Sequence, residues 1–391
     1  MPDHPNRILV THAGALPRPD SLRALVNARE AGQAYDPSTL AAQVRSATAD
    51  VVARQLACGV DSVNDGEAGK FSWFLYVHSR IQGIEEVPGP STAHGAINGR
   101  DMAEFAGYFE TPDYQVSRRG RGFGTAPAPV THMECTGPLV YAGHAEVASD
   151  TENLRAALQQ HPAPDAFLPA IAPGAIEHWL TNRHYADEES FLFAIADALH
   201  QEYQAIVDAG FRLQIDDPDL ADGWQIYPSM SVADYQRHAA LRIEALNHAL
   251  RGIPADRVRL HMCWGSYRGP HKYDIPLRDV AELILRVNAG QYALEASNPR
   301  HEHEWAVWQE VRLPDDKVLV PGVVGHVTDT IEHPELVAQR LLRYAGVVGR
   351  DRVMAGTDCG LGPRTAHESI CWAKLQALAE GAAIASKQLW K

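Results

Sequence analysis

The chain has 391 residues, of which 45% are hydrophobic and 21% are charged, and its formal net charge at pH 7 is -14. This length suffices for one large domain or two ordinary ones. The negative charge argues against a nucleic-acid surface, because phosphate binding needs a basic face. The apolar runs are shorter than the roughly 18 residues of a membrane span, and the start MPDHPNRILVTHAG lacks the layout of a signal peptide. We therefore expect a cytoplasmic protein that binds neither nucleic acid nor membranes.

The first elements in chain order are two predicted strands, RILVTHAG and GVDSVNDGEAG, with a helix over about 38–59 between them. The first strand ends in His12, and the second ends in Asp65 and Glu67. Residues 70–135 are rich in Gly and Pro and show little apolar periodicity. We predict that they form a long insertion that shapes the substrate pocket, not an independent domain.

One basic stretch in this insertion, SRRGRGF, places Arg118, Arg119 and Arg121 among glycines. Arginine-rich turns are common on loops, so we interpret it as a solvated loop, with anion binding as the alternative.

Downstream of about residue 185, helical and strand patterns alternate. Helical stretches precede the strands FRLQIDDPD, VRLHMCWG, YALEAS, KVLVPGVV and RVMAGTDCG, and a closing helix spans about 366–386. Strands that alternate with helices imply βαβ units and a parallel sheet. An open doubly wound sheet usually binds ligands at one switch point, whereas all strand ends of a barrel open onto one active face. Because chemistry is spread over many strand ends, we predict an α/β fold with a single (β/α)8 TIM barrel over residues 1–391.

Polar or reactive side chains follow these five strands. They are Asp216 and Asp217, His261 and Cys263, Glu295, His326, and Asp358 and Cys359. Alternate residues of a strand point to the same side, so His261 and Cys263 can face one point. Zinc takes nitrogen, sulfur and oxygen ligands, and Glu295 and Cys359 offer the remaining donors. Spacing alone leaves core packing open as the alternative, because cysteine is often a small buried hydrophobe.

Other polar and sulfur-bearing positions have ordinary structural interpretations. HEHE at 301–304 follows Pro299 at a helix start, which favours a solvated polar face over a metal site. Asp216 precedes Asp217-Pro218, a pattern that is also typical of turns and helix N-caps. Five scattered cysteines argue against a disulfide framework. A structural role is favoured for Cys58, Cys135 and Cys371.

The motifs VTHAGALPRP, NDGEAG, LQIDDPDLA, HMCWG, LEAS, PGVVGH and TDCGLGPR occur in this order. The series resembles the catalytic barrel of the cobalamin-independent methionine synthase family. The resemblance implies a zinc ion on His261, Cys263, Glu295 and Cys359. It also implies His326 as the general acid, Asp216 and Glu67 as the carboxylates that hold the amino group of homocysteine, and His12 and Arg18 as further pocket residues.

The implied chemistry rests on the acidity of a thiol. A free thiol has a pKa of about 8.5 and is mostly protonated at neutral pH, whereas zinc deprotonates it and leaves the sulfur nucleophilic. The atom that leaves the transferred carbon gains negative charge and needs an acid nearby. Histidine, with an ordinary pKa of about 6.5, suits that role.

Longer stretches resemble the branch that contains epoxyalkane:coenzyme M transferase, also called 2-hydroxypropyl-coenzyme M lyase. They are WGSYRGPH, NPRHEHEW, VVGHVTDTIEHPELVAQR and CWAKLQALAEGAAIASK. The chain departs from the full synthase in three ways. It has no room for a second N-terminal barrel, and it has Gly14-Ala15 where the family has Gly-Ser. The stretch GPLVYAGH also lacks the Trp that the full synthase has just after its Gly-Pro. Glu67 and Asp216 favour an amine-bearing acceptor, whereas the sulfonate of coenzyme M prefers cations.

We therefore expect a zinc-dependent alkyltransferase whose partners are a small-molecule thiol and an alkyl donor. Methyl transfer to homocysteine is favoured over opening of an epoxide by coenzyme M. A barrel enzyme without zinc, similar to porphyrinogen decarboxylases, is a further alternative, as is a non-catalytic zinc-binding or thiol-carrier protein. The sequence fixes no oligomeric state, although barrel enzymes of this size often form homo-oligomers.

Overall fold

The computed structural model describes residues 6–89, 99–112, 114, 131–266, 269–362 and 364–391. Its strands are β1 (Ser62–Val63), β2 (Ile81–Pro88), β3 (Thr131–Tyr141), β4 (Asp165–Ile171), β5 (Leu180–Asn182), β6 (Arg212–Asp216), β7 (Val258–Met262), β8 (Gln291–Glu295), β9 (Val318–Val324) and β10 (Gly356–Thr357).

The α-helices of the described residues are α1 (Asp20–Glu30), α2 (Pro37–Ala57), α3 (Gly99–Glu104), α4 (Ala106–Phe109), α5 (His144–Gln160), α6 (Pro173–Glu177), α7 (Glu188–Asp208), α8 (Asp219–Ile226), α9 (Val232–Ala249), α10 (Leu277–Ile284), α11 (Pro334–Val348) and α12 (Glu368–Leu389). Short 3-10 helices lie at Leu75–Ser79, Ala255–Arg257, Glu302–Gln309 and Arg350–Arg352.

The chain divides into two compact units. Unit 1 comprises Met1–Phe71, Ser149–Pro169 and Gly290–Lys391, and unit 2 comprises Ser72–Ala148 and Ala170–Ala289. Each unit draws on segments that are distant in sequence.

Unit 1 contains parallel strands whose residues are almost all buried. Strand β1 pairs with β4, and β9 pairs in parallel with both β8 and β10. Four consecutive residues of β8, from Tyr292 to Glu295, are buried. A near-continuous buried run of this kind is typical of a parallel strand that is covered on both faces.

Unit 2 combines a parallel pair with a mixed sheet. Strand β6 pairs in parallel with β7, and Asp216 lies opposite His261 in that register. Strand β3 pairs antiparallel with β2 and parallel with β5. Gly83 has a φ of 90° where the β2–β3 register shifts, a conformation that glycine adopts without steric cost.

Side-chain caps explain where several helices begin. Asp36 accepts hydrogen bonds from the backbone N–H groups of Ser38 and Thr39 at the start of α2. Ser231 and Asp234 form a capping box at the start of α9. Such caps satisfy N–H groups that have no partner within the helix.

The structure confirms the alternating helices and strands that were predicted downstream of residue 185, including β6, β7, β8 and β9. The predicted strand RILVTHAG is wrong as a strand, because it forms only an isolated bridge from Val10 to Ala355. Helix α5 and strand β4 were not predicted. No helix in the described part of the chain is long and apolar enough to cross a membrane.

The interpretation of residues 70–135 as a pocket-shaping insertion stays a prediction. Their described part contains β2, α3, α4 and the start of β3. Arg118, Arg119 and Arg121 lie outside the described residues.

Two glycines make a matched test of helix packing in unit 1. A Cβ atom on Gly381 of α12 would lie 2.4 Å from Cβ of Val337 and 2.8 Å from the carbonyl oxygen of Pro334, both in α11. A Cβ atom on Gly346 of α11 would meet no atom within 4 Å. We predict that Gly381→Ala lowers the free energy of unfolding by about 1–3 kcal/mol through overpacking, and that Gly346→Ala raises it by about 0.5–1 kcal/mol through helix propensity. Urea denaturation of both variants measures the difference, and a stabilised Gly381→Ala protein would contradict the close approach of the helices.

Candidate active site

A carboxylate–histidine pair lies at the carboxyl ends of β6 and β7. Nδ1 of His261 is 2.8 Å from Oδ1 of Asp216, and both side chains are buried. The parallel register places the two residues opposite each other. A histidine that donates Nδ1–H to a carboxylate presents Nε2 as a metal ligand and becomes more basic. Asp216 is therefore a strand-end carboxylate that orients His261, and it is not a helix N-cap.

A chain of buried polar groups continues behind this pair. Nε2 of Gln214 donates to Oδ1 of Asp216 over 2.8 Å, and Nε of Arg259 donates to Oε1 of Gln214 over 2.8 Å. Arg259 and Gln214 are fully buried. Because Gln214 donates to Asp216, the carboxylate accepts hydrogen bonds from two side chains, which fixes its orientation.

Two further side chains lie beside this pair in the sequence. Cys263 directly follows β7 and is buried. The backbone N–H of Asp217 donates to the carbonyl oxygen of His261 over 2.9 Å. Burial raises the pKa of Asp217 well above its ordinary value, and the charge of Asp219 raises it further.

Three predicted site residues of unit 1 lie at the carboxyl ends of adjacent parallel strands. Glu295 ends β8, His326 lies two residues after β9, and Cys359 lies two residues after β10. Glu295 and His326 are buried, and Cys359 is half-buried. Nδ2 of Asn298 donates to Oε2 of Glu295 over 3.2 Å. Parallel pairing thus brings a carboxylate, an imidazole and a thiol to one sheet edge.

Asp358 connects two of these strand ends. Its Oδ1 accepts from the N–H groups of Ala296 and Ser297 over 2.8 and 3.1 Å, and its Oδ2 accepts from Oγ of Ser297 over 2.5 Å. Burial raises the pKa of Asp358 to about 6, although the hydrogen bonds from Ser297 and Ala296 lower it. Since Asp358 precedes Cys359 and its partners follow Glu295, these hydrogen bonds position both predicted ligands.

The loop after β1 holds a second group of charges in unit 1. Glu67 is buried and has a φ of 57°, a left-handed conformation that is uncommon for a residue other than glycine. Its N–H donates to Oδ1 of Asp65 over 3.0 Å. Burial lowers the pKa of Arg18, while the charges of Glu67 and Asp65 raise it. Backbone strain of this kind concentrates at functional sites. Here it occurs beside the carboxylate of Asp65 and the guanidinium of Arg18.

The protonation state of His12 follows from its hydrogen bonds. Nε2 of Gln55 donates to the carbonyl oxygens of Val51 and Asn64, so its Oε1 is the acceptor that faces Nε2 of His12 at 2.7 Å. Nδ1 of His12 accepts from the N–H of Gly14 over 3.2 Å. His12 is therefore the neutral Nε2–H tautomer. Both of its ring nitrogens have protein partners, and its role in substrate binding stays a prediction.

A cavity of about 290 Å³ lies in unit 1 beside the ends of β8 and β9. Ser297, Asn298, Gly325, Thr328 and Asp358 are among the residues that line it. A volume of this order matches the lower end of small-molecule pockets.

The predicted site residues are divided between the two units. Unit 2 contains Asp216, His261 and Cys263, of which the first two are in contact, while unit 1 contains the other six, which are His12, Arg18, Glu67, Glu295, His326 and Cys359. The convergence of all four predicted zinc ligands stays a prediction. The donors themselves suit zinc, because His261 is held through Nδ1 and Glu295 through one oxygen.

The sequence analysis did not identify several residues that position the predicted site residues. Gln214, Arg259, Gln55 and Ser297 act through other side chains, and only the spacing of Gln214 from Asp216 gave any signal. The interpretation of HEHE as a solvated face is wrong for His301 and Glu304, which are buried with Nδ1 and Oε2 2.8 Å apart. Cys58 and Cys371 are buried, as predicted. Cys135 is buried in β3.

Comparison with known proteins identifies one family. Residues 135–383 match the family model of the cobalamin-independent synthase catalytic domain. The methionine synthase of Thermococcus kodakarensis is 23% identical over 377 residues, which are 96% of this chain and 93% of that protein. The methionine synthase of Pyrococcus furiosus is 24% identical over 379 residues, which are 97% of this chain and 93% of that protein.

A solved structure shows the same fold. The B12-independent methionine synthase from Shewanella sp. W3-18-1, in complex with selenomethionine, superposes with a TM-score of 0.72 at 20% identity, covering 98% of this chain and 99% of that chain. The α/β TIM-barrel fold that the sequence predicted is thereby confirmed. The chain belongs to the cobalamin-independent methionine synthase family, and it is a methyltransferase.

Proposed function

We propose that this protein transfers a methyl group to the thiol of homocysteine and so forms methionine. The observation that carries the proposal is the buried Asp216–His261 pair, with the buried Cys263 two residues after His261, within the segment that matches the family. Curated relatives that carry the name methionine synthase match this chain over 93% of their own length. Free thiols at all five cysteines suit a reducing compartment, and we propose the cytoplasm.

His261, Cys263, Glu295 and Cys359 are the residues that would hold zinc. Their nitrogen, sulfur and oxygen donors are the types that catalytic zinc sites use. Zinc, when bound, would deprotonate the incoming thiol at neutral pH. Asp216 fixes the ring of His261, and Asp358 fixes the backbone beside Glu295 and Cys359.

The charged groups of the β1 loop suit an amino-acid substrate. Glu67 offers a carboxylate to the substrate amine, and Arg18 offers a guanidinium to its carboxylate. The charge of Glu67 raises the pKa of Arg18 against the effect of burial, which supports their proximity. We assign the amine to Glu67, and to Asp216 through the oxygen that does not face His261.

His326 is the proposed general acid. It is buried at the end of β9, next to Gly325 of the 290 Å³ cavity. A proton from its ring would neutralise the nitrogen of the methyl donor as the carbon–nitrogen bond breaks and the carbon–sulfur bond forms.

Two alternatives from the sequence are less well supported. Opening of an epoxide by coenzyme M needs cations for the sulfonate, whereas the relatives that match nearly the whole chain are named methionine synthase. A zinc-free barrel similar to porphyrinogen decarboxylases conflicts with the family match over residues 135–383.

The central test is product formation by zinc-loaded protein. We expect methionine from homocysteine and a methylfolate, and no adduct from coenzyme M and propylene oxide, when both mixtures are analysed by mass spectrometry. Cys263→Ser and Cys359→Ser should each lose the zinc ion of this site and turnover, because an alcohol is a much poorer zinc ligand than a thiolate. Cys58→Ala, a change in the core, should keep both. Full metal content and turnover in both serine variants would overturn the proposal.

Asp216→Asn distinguishes the two proposed roles of Asp216, which are orientation of His261 and binding of the substrate amine. If Asp216 orients His261, the variant should bind zinc about 10–100-fold more weakly in a chelator competition. Asp165→Asn, which alters a carboxylate bonded to Ser62 at the start of β4, is the control and should keep the wild-type affinity. Unchanged zinc affinity with a raised KM for homocysteine would assign Asp216 to the substrate alone.

His326→Asn tests the proton donor. We expect kcat to fall by about 10²–10⁴-fold, a typical contribution of general acid catalysis, with zinc content unchanged. His367→Asn is the matched control and should keep kcat, because the exposed His367 caps α12 through its side chain and asparagine is also a good N-cap. A kcat within twofold of the wild type in His326→Asn would exclude the assignment.

A further inference from the structure

A second group of metal-ligand side chains lies in unit 2, outside the predicted zinc ligands. His178 follows α6, Asp219 begins α8, and His238 lies in α9. One ligand atom from each residue lies within 4.8 Å of the other two. His178 and Asp219 are buried and His238 is half-buried.

The two oxygens of Asp219 face different partners. Oδ1 is 2.9 Å from Nε2 of His178, and Oδ2 is 3.0 Å from Nε of Arg242. Both contacts are ion pairs at hydrogen-bond distance, the first of them when the His178 ring is protonated. Two ligand atoms that are each about 2.0–2.2 Å from a tetrahedral zinc ion stand about 3.4 Å apart. The Oδ1–Nε2 separation of 2.9 Å is shorter, so a bound ion would replace the direct contact between Asp219 and His178, with Arg242 behind the other oxygen as an outer partner.

The ring of His238 is held in place by two aromatic neighbours. Its centroid is 4.7 Å from that of Tyr227 and 5.9 Å from that of Tyr235. Its Nε2 is buried and has no hydrogen-bond partner among the described residues. A buried nitrogen of this kind usually needs a partner, because its desolvation is otherwise uncompensated.

Charge and shape at this cluster favour a cation. Arg242 also donates to Oε2 of Glu177 over 2.5 Å, so one guanidinium faces two carboxylates, and a negative charge is left over when the His178 ring is neutral. Added Cβ atoms at Gly174 and Gly223 would lie 2.5 and 2.7 Å from the oxygens of Asp219. These two glycines leave the space that the Asp219 carboxylate fills.

We propose that His178, Asp219 and His238 form a binding site for a divalent transition metal such as zinc, separate from the four-ligand set of the proposed reaction. Two imidazoles and one carboxylate are a common protein set for such ions, with the remaining coordination positions taken by water. The ion ties α6, α8 and α9 together, and its function is structural.

The test is a metal count on full-length protein that is stripped with a chelator, reloaded with zinc and desalted. The wild type should hold two zinc ions per chain, and His238→Ala should hold one. Cys263→Ser should also hold one, and the double variant none. His248→Ala is the matched control, because His248 lies on the exposed face of the same helix and pairs with Asp197. It should keep two ions.

The absorption spectrum of cobalt-substituted protein shows which ligands hold each ion. Cobalt bound to Cys263→Ser protein should show no thiolate-to-metal charge-transfer absorption, while cobalt bound to His238→Ala protein should show it. His178→Gln provides a second variant if His238→Ala does not fold. Wild-type metal content in His238→Ala and in His178→Gln would overturn the proposal. Loss of the thiolate absorption in the wild type would instead contradict the proposed function and leave this site intact.

Discussion

Parallel strand pairing is the constraint from which the candidate site follows. Neighbouring parallel strands end at the same edge, so the residue that follows each strand is delivered to one place whatever the length of the intervening helix. The pairing of Asp216 with His261 across β6 and β7 is one result. The arrangement of Glu295, His326 and Cys359 beyond β8, β9 and β10 is the other. The backbone register of the strands therefore decides which strand-end side chains lie side by side.

Two carboxylates that are not proposed zinc ligands position residues that are. Asp358 collects three hydrogen bonds from residues 296 and 297, and Asp216 accepts from both Gln214 and His261. Each carboxylate is buried, so its desolvation must be offset by well-aligned donors. The same requirement makes the local geometry rigid, which a reactive centre needs in order to keep its groups in place.

The sequence predicted most elements that have a strong local signal. The amphipathic periods of α7, α9, α11 and α12 and the apolar runs of β7 and β9 are local, and they were located correctly. The partner of His261 is 45 positions away, and no local pattern reports it. The burial of His301 was missed for a similar reason, because it depends on packing from distant segments. The family motifs predicted the candidate residues, whereas the hydrogen bonds that support these residues could be identified only in the three-dimensional structure.

The left-handed backbone at Glu67 limits how this position can change over evolution. A β-branched side chain would be sterically strained there, whereas glycine, asparagine or aspartate would fit the backbone. Of these, only aspartate keeps an acid, and its side chain is one methylene shorter. Evolutionary change at this position therefore depends on the backbone conformation as well as on the charge of the side chain.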